Sequence, residues 1–225
     1  MPNEIIRRVI VIPIIAIGFI LIWQIQSSID ASRHKSLQVR IVEELMYFPS
    51  GKFLKPLAIE YETALADLIW LRAVQYYGQH LITDRKFIWL DHIFDILTTL
   101  DPRFIGAYHF GAIVIAWDAR QVTEAIKLLH QGMANNPLNW QVVFDAGFIH
   151  YMITKDYVSA GYYFEIASKL PETWAVTERW AAFAFDRGGA KEMAIEIWQT
   201  IYQTTQNRKL KEKAEQELRR LGVFP

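Results

Sequence analysis

Apolar residues fall into three regimes along this chain. The first is continuous. Val9 to Trp23 reads VIVIPIIAIGFILIW without a charge, behind Arg7 and Arg8. With Gln24 and Ile25 it makes 17 residues, about 25 Å of helix at ~1.5 Å per residue. That is the short end of what crosses a hydrocarbon core of ~30 Å. Pro13 stands near the start, where its missing N–H costs little, and Trp23 suits an interfacial anchor. A membrane anchor over residues 1–25 is expected. A cleaved signal peptide and a buried core helix are the alternatives. The residues that follow, QIQSSIDAS, hold no good small-x-small cleavage pair. The arginine pair places the N-terminus inside and the rest of the chain on the non-cytoplasmic side, although Arg33, Lys35 and Arg40 oppose it.

The second regime is mixed. Ile29, Leu37, Ile41, Leu45 and Phe48 permit an amphipathic helix, and Pro49-Ser50-Gly51-Lys52 reads as a turn. Gly51-Lys52 is no phosphate-binding loop, because the preceding glycine and the following Ser or Thr are missing. Residues 26–56 are therefore read as a linker and N-terminal cap. From residue 57 the third regime begins: helix-period apolar patterns alternate with short breakers, and no strand-like alternation occurs. An all-α fold is predicted.

This helical stretch repeats. Leu-Asp-Pro closes at Pro102, Asn-Asn-Pro at Pro137 and Lys-Leu-Pro at Pro171, spaced 35 and 34 residues apart. Between the prolines, small and aromatic residues recur. The first unit has Tyr77-Gly78, Leu90, Phe94 and Leu97; the second has Phe110-Gly111, Ala125, Leu129 and Gly132. The third has Ala146-Gly147, Ala160, Phe164 and Ala167, and the fourth Ala181-Ala182, Phe185, Ala194, Trp198 and Ile201, without a closing proline. Small residues allow two helices to cross closely, the aromatic fills the gap beside them, and proline ends the second helix. Asn207 to Leu221 is a charged amphipathic stretch with Leu210, Ala214, Leu218 and Leu221 at its apolar positions, suited to closing the array. Residues 207–225 are read as the C-terminal cap.

On these residues, 57–206 resembles the tetratricopeptide repeat family. The resemblance departs at Leu90, where the family prefers Ala, and in the fourth unit, which lacks the glycine and proline. It implies an α-solenoid of about four helical hairpins whose first helices line a concave, partner-binding groove. Mapped onto this chain, the groove consists of Arg72, Gln75, Gln79, Ile105, Tyr108, Gln141, Phe144, Phe148, Arg179 and Phe183. The set is aromatic, apolar and amide with two arginines, and lacks a lysine-rich clamp. Phe144, Phe148 and Phe183 also fit as core. Asp67 and Arg72, set in an apolar helix, are either a semi-buried polar contact fixing register or part of the groove.

Composition narrows the chemistry. Lys+Arg and Asp+Glu both total 24, so no overall charge draws the chain to nucleic acid, and no nucleic-acid partner is expected. Cysteine is absent, which removes disulfides, iron–sulfur clusters and thiolate zinc sites. The six histidines form no H-x-x-x-H or H-E-x-x-H pattern. Asp91, His92 and Asp95 make at most half a metal site. No nucleophile-elbow, dinucleotide or Walker pattern occurs. No enzyme, cofactor or metal is expected. The sequence predicts a membrane-anchored scaffold that binds a protein partner, with residues 9–25 in lipid. The alternative is a permanent accessory subunit of a larger membrane complex, of respiratory or secretion type.

Overall fold

The computed structural model describes residues 19–28 and 49–223. The chain divides into two units at Phe48 and Pro49. In the first unit, residues 19–28 are helical (α1), and their side chains are exposed. The expected membrane span, 9–25, overlaps the described residues only over 19–25. Among the described residues no helix is long and apolar enough to cross a membrane.

The second unit is all-helical among its described residues. In chain order it runs α2 (Gly51–Leu57), α3 (Glu62–Ile82), α4 (Leu90–Leu100), α5 (Ile105–Trp117), α6 (Val122–Asn135) and α7 (Trp140–Ile149). A π-helical turn, His150–Thr154, follows, then α8 (Tyr157–Ser168), α9 (Thr177–Arg187), α10 (Lys191–Thr204) and α11 (Arg208–Arg220). Gly51, expected in a turn, instead opens α2. It is buried because α2 packs on α4, where a Cβ on Gly51 would stand 2.6 Å from Thr99 Cβ.

The backbone carries the period of the sequence. The turns inside successive helix pairs hold left-handed residues at Arg85 (φ 54°), Arg120 (φ 59°), Lys155 (φ 60°) and Gly189 (φ 81°). Pro102, Pro137 and Pro171 fall just beyond α4, α6 and α8, where proline blocks continuation of the helix. Side-chain caps start three of the later helices. Asn139 Oδ1 accepts from Val142 N–H, Asp156 Oδ1 from Ser159 N–H, and Asn207 Oδ1 from Leu210 N–H. Among the described residues, every substantial packing pair joins helices adjacent or next-but-one in chain order. Contacts therefore stay local in sequence, as in stacked hairpins.

The core runs along the stack. Phe94, Phe164, Phe185 and Trp198 are fully buried, each contributing about 1.5–3 kcal/mol or more of hydrophobic stabilisation. Two predicted close crossings are present. A Cβ on Gly111 would lie 2.7 Å from Phe94, and one on Gly147 would lie 2.8 Å from Phe164. The third, Gly78, is no crossing at all: a Cβ there meets nothing within 4 Å. Asp67 and Arg72 are both exposed, so neither makes the semi-buried polar contact that their sequence context suggests. Helix α11 falls within residues 207–225 and packs on α10. Ala214 and Leu218 are buried, and Leu210 and Leu221 half-buried.

Candidate functional site

Of the expected groove residues, Arg179 and Phe183 line one of the described clefts and the others line none. Arg72, Gln75 and Gln141 are exposed, and Gln79 and Ile105 are half-buried. Tyr108 is fully buried and is a correction to the expected lining. Its ring lies against Gly132, its hydroxyl donates to the Pro102 carbonyl (3.3 Å), and Asn135 Nδ2 donates to that hydroxyl (3.0 Å). It joins one hairpin to the next and offers nothing to a partner. The expected register came from the resemblance to the repeat family, and a shift of one residue turns a helix position by about 100°, enough to exchange surface for core.

Arg179 and Phe183 do meet, in a cleft of about 600 Å³ lined also by Tyr151, Val176, Trp180, Asp186 and Arg187. Helix α9 supplies most of it because positions 176, 179, 180, 183, 186 and 187 fall on one helical face. Tyr151 enters from the π-helical turn. Such a turn carries one residue more than the α-helical count and is frequent at functional sites. It ends at Lys155 in the left-handed conformation.

The floor of the cleft is aromatic. Trp180 lies edge-on to Tyr151 (5.6 Å) and Phe144 (6.2 Å) and tilted on Phe164 (5.6 Å). Phe144 and Phe148 stack at 6.5 Å behind this wall, half-buried. Phe183 packs edge-on to Trp198 at 5.2 Å and keeps its outer side exposed. Phe144 and Phe148 thus stand behind the wall, and Phe183 lines the cleft.

The charges of the cleft differ in how they are matched. The Arg187 guanidinium lies 4.7 Å from the Tyr157 ring centroid and 5.5 Å from that of Tyr151, and donates to the Tyr151 hydroxyl (3.1 Å). Asp186 accepts from Arg220 of α11 at 2.6 Å. Arg179 has no ion pair among the described residues, and its buried Nε lacks a hydrogen-bond partner. A buried donor without an acceptor costs about 1–3 kcal/mol. The cleft thus presents an unmatched cation beside exposed aromatic surface. Trp180 and Arg187 were legible from their helical spacing to Arg179 and Phe183. Tyr151 was not, because a π-helical turn has no reliable sequence signal.

Two further clusters lie elsewhere. His109 Nδ1 and Asp145 Oδ2 are 2.7 Å apart, joining α5 to α7, with the carboxylate buried and the imidazole half-exposed. Burial pushes the Asp145 carboxyl above the usual range, and the hydrogen bond to Asp145 raises the His109 pKa. Asp91, His92 and Asp95 of α4 face Glu124, Lys127 and Gln131 of α6 across a pocket of about 220 Å³. Among the described residues, no group of three or more side chains can hold a metal ion.

No family model, curated protein or solved structure matches the chain.

Proposed function

We propose that this protein is a membrane-tethered scaffold of tetratricopeptide type whose α9 cleft holds a segment of a partner protein. The observation that carries the reading is the buried Arg179 Nε, without a hydrogen-bond partner among the described residues, beside Trp180 and Phe183 in the α9 cleft. Aromatic residues and arginine at a half-desolvated site are the usual anchors of protein interfaces. A cation without a partner in a cleft is resolved by a bound acceptor. The 35- and 34-residue spacing of the prolines and the matching spacing of left-handed turn residues support the repeat assignment. The uncharged run from Val9 to Trp23 supports the tether, and Arg7 with Arg8 supports placing the hairpin unit on the non-cytoplasmic side.

Photocrosslinking in native membranes tests this. A photoreactive residue at Phe183 is expected to give a discrete protein adduct, and one at the exposed Gln203 is not. Adding Arg179→Gln should cut the adduct several-fold with helical content unchanged by circular dichroism. Equal adducts from both positions, or an adduct indifferent to Arg179, refute the cleft.

A second reading, a permanent accessory subunit, is favoured by the outer side of α3. Leu68, Leu71, Val74 and Ile82 are exposed there, as in a surface that is covered in an obligate complex. Stoichiometric co-purification of partners from detergent-solubilised membranes distinguishes it from transient capture.

A further inference from the structure

We propose that the corner joining α2 to α3 is a membrane-docking tip that seats Phe53, Leu57, Ile59 and Tyr61 in the interfacial layer of a bilayer. These four side chains fall within nine residues of chain and are 69%, 72%, 74% and 73% exposed. A soluble surface scatters its exposed apolar residues singly, and a cluster marks something that covers it.

Backbone conformation points the same way. Ile59 and Glu60 both have positive φ, 41° and 68°. A β-branched residue in that region is a genuine outlier. Strain of this kind ordinarily persists where packing compensates for it. Ile59 gains no such packing, since its side chain projects into solvent. Among the described residues nothing packs over the Ile59 side chain to compensate for it.

The composition of the corner selects a lipid surface over a protein groove. None of the three clefts described is lined by these four residues. A fluid bilayer covers exposed apolar side chains without shape complementarity. Leucine, isoleucine and aromatic side chains flanked by lysine are the composition of interfacial contact. Lys52 and Lys55 are exposed and form no ion pair among the described residues, free to reach lipid phosphates while their stems lie along apolar surface. Glu60, exposed between Ile59 and Tyr61, limits the depth to the headgroup level. The proposal rests on the tether read above, since the uncharged run ends at Trp23 and α2 begins at Gly51.

The absence of cysteine makes the test direct. Full-length chain carrying Ile22→Cys, Ile59→Cys or Thr204→Cys is labelled with one fluorophore and reconstituted into phosphatidylcholine–phosphatidylglycerol vesicles. Lipids bearing nitroxide at the headgroup or mid-chain serve as quenchers. The label at position 59 is expected to be quenched several-fold more than that at 204 by headgroup nitroxide. Its depth should lie within about 10 Å of the headgroup boundary. The label at 22 is expected to respond to mid-chain nitroxide. Quenching at 22 without quenching at 59 overturns the tip and leaves the tether. Quenching at 59 without quenching at 22 upholds the tip and removes the tether. A label at 59 shielded from both lipid and aqueous quenchers overturns the tip in favour of cover by protein, either residues 29–48 or a second copy.

Discussion

The two ends of the hairpin unit solve the same problem in opposite ways. A stack of helix pairs leaves an apolar face open at each end. At the C-terminal end α11 closes it. Ala214 and Leu218 turn inward, and the outer side carries Arg208, Lys211, Glu212, Glu215 and Arg219. Glu217 is fixed by Lys213 and Arg220, each at 2.7 Å, and Arg220 reaches on to Asp186 of the cleft. At the other end, α3 turns Leu68, Leu71, Val74 and Ile82 to solvent. A charged cap makes a surface that stays in water. The α3 face instead leaves apolar side chains exposed among the described residues, and the proposed tip adjoins it in the chain.

The comparison breaks most sharply on matched substitutions. Phe164→Ala, in the aromatic core beneath the cleft, should lower unfolding free energy by about 3–5 kcal/mol. Leu71→Ala, with its side chain 57% exposed, should stay within about 0.5 kcal/mol of wild type. Urea titration of both variants checks it, and equal losses would mean that the α3 face is packed in the isolated protein. A smaller contrast uses one substitution at two sites. Gly147→Ala forces a Cβ to 2.8 Å from Phe164 and should destabilise by about 1–3 kcal/mol. Gly78→Ala meets no neighbour and should stabilise by up to about 1 kcal/mol, since alanine restricts the unfolded helix position. Thermal midpoints are expected to move in opposite directions.

The smallest effects are in pH. Burial pushes the Glu217 pKa up, but hydrogen bonds from Lys213 and Arg220 bring it below the ordinary 4.5. A depressed carboxyl stabilises the fold above its unfolded pKa and loses that contribution as pH falls through the folded value. Glu217→Gln should therefore flatten the acid limb of the stability curve. The His109–Asp145 pair runs the other way. Burial raises the Asp145 pKa above 3.8, and the hydrogen bond that His109 donates to Asp145 raises the His109 pKa above 6.5. A raised group binds protons better when folded, so its contribution is complete at low pH and is lost as pH rises through the folded pKa. By NMR, His109 should titrate above 6.5 and return toward it in Asp145→Asn. A His109 titration unmoved by that substitution would remove the pair from the account.

Much of the helical architecture is legible in the sequence. Helix periodicity from residue 57, three prolines at 35 and 34 residues, and the charged stretch after Asn207 each correspond to an element at nearly the expected bounds. These signals act through local physics: proline cannot continue a helix, and apolar spacing chooses a face. The candidate site was half legible. Arg179 and Phe183 line the cleft, whereas Tyr108 is core and Arg72, Gln75 and Gln141 lie on exposed helix surface away from it. Which side of a helix meets a neighbour depends on the crossing of two helices, and one residue of register error exchanges surface for core.

By itself, then, the sequence determined an all-helical chain, its repeat period, its breaks and its polar C-terminal end. Those follow from interactions among residues near in the chain, which composition and spacing record. Tertiary packing alone decided that Tyr151 would swing into a cleft from a π-helical turn, that Gly78 would stand in open space, and that Arg179 would lack a partner. Each depends on which distant side chain arrives at a given point, and no local pattern encodes that arrival.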